Sequence, residues 1–301
     1  MADPGAANAA QPDQERQDAL TALDRLPVNR FHWRLVFLSG VGWMFDGMDT
    51  ILLSLVLPAL MLSWQLSATQ VGLVGTIDRL GALCGAALAG VLADRHGRRS
   101  LFQATLLIYS LGTGLLALAA NLPSFLLIRF FVGMGLGGEL PVVATLVTEW
   151  VPARQRGRLV SLLSSFWSYG WILAALVGFL IIPSFGWQAV FLVGALPALY
   201  VFVLRRGVPE SPRYLIATGR QEEAMEALRR VGVREEILAL NSSASFDSDL
   251  TSSSVKLLFA RPYVRQTILV WILWFSLFFT FYGIYIWLPS LLVARGLGLV
   301  R

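Results

Sequence analysis

Residues 35–62, 70–93, 101–121, 124–150, 159–183, 187–205 and 265–294 are runs of apolar residues interrupted only by isolated charges, and the polar clusters fall between them. A hydrocarbon core is roughly 30 Å thick and a helix rises about 1.5 Å per residue, so each run is a candidate transmembrane helix. The pattern predicts an all-α polytopic membrane protein. Its parts are a tail (1–33), a six-span unit (34–205), a central link (206–264), a seventh span (265–294) and a short end (295–301).

Between the sixth and seventh spans the pattern changes. The segment GRQEEAMEALRRVGVREEI has helical periodicity, with acidic residues early and basic ones late, which suits a helix dipole and predicts a short surface helix. The following NSSASFDSDLTSSS is polar and poor in apolar residues, as in a flexible linker. Within the second span Gly81, Gly85, Ala89 and Ala93 recur every fourth residue and offer one face for close helix packing.

Composition agrees with lipid as the solvent: 56% hydrophobic and 14% charged residues. The net charge of +5 could suggest nucleic acid, so the placement of the basic residues decides. Apart from Arg79, Arg129, Arg295 and Arg301 they lie in the tail or at the links after the second, fourth and sixth spans, and the other links carry none. That is the positive-inside bias, not a nucleic-acid patch; it predicts a cytoplasmic N-terminus in an inner (plasma) membrane. The first thirty residues have no apolar core and read as a tail, not a signal peptide. Cys84 is the one cysteine, and His32 and His96 stand away from carboxylate clusters, so no metal or other cofactor is expected. No nucleophile with a base, phosphate loop or metal cluster stands at a plausible spacing, which argues against an enzyme.

The link after the second span reads Gly90-Val91-Leu92-Ala93-Asp94-Arg95-His96-Gly97-Arg98-Arg99. On its own this is a tight basic turn that topology alone would explain. Its order resembles the signature of the major facilitator superfamily at the same link. The run from Arg129 to Glu139, RFFVGMGLGGE, is similar to that family's fourth-span pattern; Glu149, Pro152, Arg156 and Gly157 resemble the ending of that span, and PESPRYL (209–215) looks like the sugar-porter motif after span six. The resemblance implies a transporter of twelve spans in two halves with the solute site between them. This sequence stops at Arg301, beyond its seventh span, so a truncated or fragmentary form, monomeric and lacking most of the second half, is expected.

Asp46 and Asp49 in the first span lie three residues apart, on one helical face. A carboxylate at mid-membrane costs roughly 2.5–3.5 kcal/mol on the lenient insertion scale, so it is kept for a cavity, a proton or a structural partner. GMDT resembles the corresponding segment of proton-coupled sugar porters, and this implies Asp49 as proton acceptor with Arg129 as its partner. FDGMD also resembles the D-G-x-D of aromatic-acid symporters. Glu139 is a second intramembrane acid able to line the cavity or to make a structural hydrogen bond. Asp78 and Arg79 read as a locally neutralised pair. Glu149 and Arg156, with Gly90, Asp94, Arg95, Gly97, Arg98 and Arg99, form the expected cytoplasmic gate and signature loop.

Sugar porters carry glutamines on spans five and seven, whereas the matching places here hold Ser164, Trp171, Ser276 and Leu277. Spans five and seven are instead rich in aromatic residues, of which most would pack or face lipid. Trp167, Trp171 and Tyr282, with Glu139, are the candidate solute contacts. Aromatics with a cation suit a flat carboxylate-bearing solute better than a polyol, and DGMD, GGELP and YGIYIWLPSLL are similar to the nicotinate-permease and synaptic-vesicle-protein branch. The expectation is proton-coupled transport of a small aromatic or organic monocarboxylate, with solute, protons and lipid as partners. A sugar:proton symporter and a non-transporting membrane receptor are the alternatives.

Overall fold

The computed structural model describes residues 27–232 and 259–295. The first part of the tail, the serine-rich linker and the last residues therefore lie outside the described residues. The described helices are α1 (Arg30–Trp64), α2 (Ala68–His96), α3 (Arg98–Leu116), α4 (Leu122–Trp150), α5 (Arg156–Gly194), α6 (Tyr200–Gly207), α7 (Pro212–Ala217), α8 (Gln221–Val231) and α9 (Val264–Ala294).

Local chemistry starts and stops these helices where the polar breaks predict. Asn29 caps α1, its side chain accepting from the Phe31 and His32 amides while His32 Nδ1 takes the Asn29 N–H at 3.2 Å. Ser67 and Gln70 form the reciprocal box that opens α2, and Asn121 caps α4. Gly232, in the left-handed region at φ 99°, ends α8, whose first turn carries Glu222 and Glu223 and whose last carries Arg229 and Arg230.

Several boundaries differ from the sequence pattern, among them the end of the third span, which stops at Leu116 and not at 121. Helix α1 begins at Arg30, because Asn29 supplies a cap before the apolar run starts. Spans five and six join in α5, broken at Gly186, whose φ of 77° no other side chain adopts comfortably. The sixth span is composite: the end of α5, a 3-10 turn over Leu196–Leu199 with Pro197, and α6. Five of the described helical stretches, counting the run Ala153–Gly207 as one, are long and apolar enough to cross a membrane. Helix α3, with 19 residues, would reach about 28 Å.

Helix α1 packs along α5, and α2 and α3 both pack on α4. The glycine stripe makes the α2–α4 contact: a Cβ on Gly81 would collide with the Phe130 carbonyl and one on Gly85 with the Met134 carbonyl. The reciprocal glycines Gly133 and Gly137 meet the backbone of Asp78 and Ala82. One end of the bundle is closed by Trp64, Phe125, Trp187 and Phe191 in edge or tilted contact. The opposite end gathers the basic links, α7 and α8, with Asn29 Nδ2 donating to the Val231 carbonyl at 2.8 Å. Helix α9 rests on α1 and reaches α2 and α5 through its aromatic residues.

Candidate functional site

At the centre of the bundle Arg129 of α4 is 0% exposed, enclosed because glycines at 133, 135, 137 and 138 let α2 and α3 close over its helix. Its Nη1 donates to Asp49 Oδ2 at 2.9 Å, and its Nε lies 2.7 Å from Asp78 Oδ1. Thr113 of α3 donates to the other oxygen of Asp49. Asp78 is shared: its Oδ2 accepts from Arg79 Nε at 2.8 Å and from Arg79 Nη2. The family resemblance implies Asp49 with Arg129, and adjacency pairs Asp78 with Arg79; the fold fuses both into one chain of charges, Asp49–Arg129–Asp78–Arg79.

Asp46, one turn before Asp49, points elsewhere and accepts from Trp167 Nε1 at 2.9 Å. Trp167 in turn touches Trp171, with ring centroids 4.9 Å apart, and Phe281 of α9 at 5.7 Å. Phe281 also lies 5.2 Å from Trp171 and 5.1 Å from Tyr282. The guanidinium of Arg79 sits over the Tyr282 ring at 4.2 Å, a cation–π contact. Trp167, Trp171 and Tyr282 thus share one aromatic wall, which continues to a cation. Ser164, by contrast, is exposed and returns its hydroxyl to its own helix at Val160.

Glu139 is brought near the cluster but not into the wall. It is 0% exposed and lies beside Tyr109 of α3. Its expected role as a direct solute contact is not supplied by this conformation, because α3 and α4 bury it. A shallow recess lined by Ala68, Thr69, Gln70, Gly72, Leu73, Thr76 and Trp287 lies near the start of α2 and carries no charged residue. It is apart from the charge chain and has nothing with which to recognise a charged solute.

The signature loop forms a second cluster at the basic end. Asp94 pairs with Arg98 at 2.7 Å, and Arg98 Nε lies 3.5 Å from Glu149 at the end of α4. Ser211 donates to Glu149, while Glu210 Oε1 accepts from the amides of Arg99 at 3.0 Å and Ser211 at 2.9 Å. Arg99 donates to the Arg205 carbonyl, and the Tyr214 hydroxyl to the Arg95 carbonyl at 3.1 Å. Gly97 takes φ 94° and leaves room for the Glu210 carboxylate, whereas Gly90 faces open space. Arg156 reaches the Val151 carbonyl at 3.4 Å, and it is Arg98 that stands at Glu149. PESPRYL therefore ties the loop after span two to the end of span four.

Sequence reasoning did not single out Thr113, Tyr109 or Glu210 as site residues. Thr113 and Tyr109 carry only the weak signal of polar side chains inside a span. Glu210 sat within a recognised motif, but its target amides are 111 and 1 residues away in sequence.

Residues 33–301 match the family model described as Major Facilitator Superfamily. The chain is 42% identical over 285 residues to the niacin transporter NiaP of Acinetobacter baylyi, covering 94% of this chain and 65% of that protein. It is 40% identical over 268 residues to a putative niacin/nicotinamide transporter NiaP of Bacillus subtilis, covering 89% and 60%. The chain thus spans less than two thirds of the length of these two relatives. Among solved structures, the partially occluded inward open conformation of the xylose transporter XylE from E. coli superposes with a TM-score of 0.61 at 25% identity, covering 67% of this chain and 54% of that one. With a family model matched over nearly its whole length, a glycine-packed helical bundle and the motif residues gathered at its centre and basic end, the chain belongs to the major facilitator superfamily of multi-pass membrane transporters.

Proposed function

We propose that this chain forms the first half, and the start of the second, of a transporter that moves a small aromatic monocarboxylate together with a proton. The observation that carries this reading is the buried charge chain opening onto an aromatic wall. Four carboxylates, Asp46, Asp49, Asp78 and Glu139, share the interior with two guanidiniums, Arg79 and Arg129, so the cluster has acidic groups in excess of its cations. In an apolar interior an unpaired charge costs several kcal/mol, and taking up protons relieves the excess. Asp49 is the proposed coupling acid: if Arg129 turned wholly to Asp78, the Asp49 carboxylate would keep the Thr113 hydroxyl but no cation among the partners described. Niacin, carried by one relative according to its name, is an aromatic carboxylate, and Trp167, Trp171, Phe281 and Tyr282 offer rings to stack on it.

The basic links and N-terminus at one end support a cytoplasmic placement of that end. In that orientation the Asp94–Arg98–Glu149–Ser211 cluster would hold the cytoplasmic side of one access state. Sugar transport is the second reading, favoured by the likeness to XylE and the PESPRYL contacts. The uptake experiment that separates the two uses proteoliposomes of the full-length protein that carries this chain. Nicotinate accumulation should follow an inward proton gradient and vanish on its collapse. Uptake indifferent to the gradient, or competition by xylose but not benzoate, would remove the proposal.

A further inference from the structure

We propose that Arg79, not Arg129, is the receptor for the solute's carboxylate. The inference rests on the aromatic-monocarboxylate reading and names the cation that reading requires. Two guanidiniums lie at the centre of the bundle, and they differ in access. Arg129 is 0% exposed and is held between Asp49 and Asp78, so a solute would have to displace a buried carboxylate to reach it. The Arg79 side chain is 31% exposed. Among the described residues its one ion-pair partner is Asp78, and Nε and Nη2 both donate to the same oxygen, Oδ2. An arginine has five N–H donors in a planar fork, so donors remain for a carboxylate.

Arg79 also stands where a ring-bearing anion needs it. Its guanidinium covers Tyr282 at 4.2 Å, and from Tyr282 the wall runs to Phe281 at 5.1 Å and on to Trp171 at 5.2 Å. A solute whose carboxylate meets the edge of Arg79 turned away from Asp78, beside Tyr282, would lay its ring along these residues. Asp78 has a second purpose in this arrangement. It fixes the guanidinium by one edge and offsets its charge when the solute has left, so that Arg79 is pre-oriented without being sealed. Substitution of Arg79 also leaves Asp78 paired with Arg129 at 2.7 Å, so a variant at 79 retains the core pairing.

The test uses the full-length protein that carries this chain, in lipid nanodiscs, with radiolabelled benzoate as probe and benzamide and acetate as competitors. The native protein should bind benzoate more tightly than benzamide. Arg79→Gln should weaken benzoate by on the order of ten- to a hundredfold, the range for one lost bond to a charged group, and leave benzamide unchanged. Arg79→Lys should recover part of the loss, because the charge returns without the fork. Unaltered melting and helical circular dichroism show that the variants fold. Benzoate binding unchanged in Arg79→Gln, or an equal loss for benzamide, overturns the assignment while the aromatic reading stands. Acetate competing as well as benzoate overturns the aromatic reading but leaves Arg79 as the anion receptor. A native protein that binds neither aromatic probe overturns both.

Discussion

Asp78→Asn should be among the most damaging single changes in the core, although the sequence offers Asp78 only as a neighbour for Arg79. The wild-type carboxylate contacts two cations, at 2.7 Å to Arg129 Nε and 2.8 Å to Arg79 Nε, and is fully buried. Removing one member of a buried pair costs about 3–5 kcal/mol, because the partner is left charged without compensation. Asp49 still neutralises Arg129 in the variant, so the loss belongs near the lower end, about 3 kcal/mol, on the order of a hundredfold in the folding equilibrium. The same reasoning predicts non-additivity. Asp78→Asn combined with Arg79→Gln should cost less than Asp78→Asn alone, since the second change removes the charge that the first one strands. Reversible unfolding of the chain in mixed micelles, run as a double-mutant cycle, measures both quantities. A loss below about 1 kcal/mol for Asp78→Asn, or strict additivity of the pair, would refute the claim that one continuous charge chain holds α1, α2 and α4.

Other substitutions test other parts of the fold. Glu139→Gln should be neutral or mildly stabilising in the same assay, because Glu139 has no cation partner among the described residues to strand and an amide is cheaper to bury than a carboxylate. Gly85→Val should block assembly, because its side chain would enter the Met134 backbone; Gly90→Ala, facing open space, should be silent, and expression with size-exclusion profiles separates the two. Gly97→Ala should loosen the basic end by about 1–2 kcal/mol, since φ 94° is strained for alanine and its Cβ would press on Glu210; faster proteolysis within 208–220 would report it. In the full-length protein, Asp49→Asn should retain nicotinate exchange but lose gradient-driven accumulation, as expected for the proposed coupling acid; accumulation equal to wild type would exclude that role.

The sequence by itself determines the features that solvent and spacing dictate. Long apolar runs must be helices in lipid, because every backbone N–H and C=O has to be paired within its own segment. Asn29, Ser67, Asn121 and Gly232 mark helix ends because capping is a contact within a few residues. The four-residue glycine stripe of α2 marks a packing face before its partner is known, and an intramembrane arginine calls for a carboxylate.

Which carboxylate answers is a tertiary matter. Asp46 and Asp49 share a helical face, yet one meets Trp167 and the other Arg129 and Thr113, because α5 and α4 approach α1 from different sides. Asp78 bridges two arginines only because Gly133 and Gly137 let α4 settle against the backbone of α2. Glu139 is sealed beside α3, and Arg79, though Tyr282 of α9 stacks on it, stays part exposed, which no local pattern encodes. Contacts such as Arg99 to Glu210, 111 residues apart, depend on α3, α4, α5 and α6 all having the right length. Local chemistry chose the elements; the close approach of glycine-lined backbones chose which charges meet.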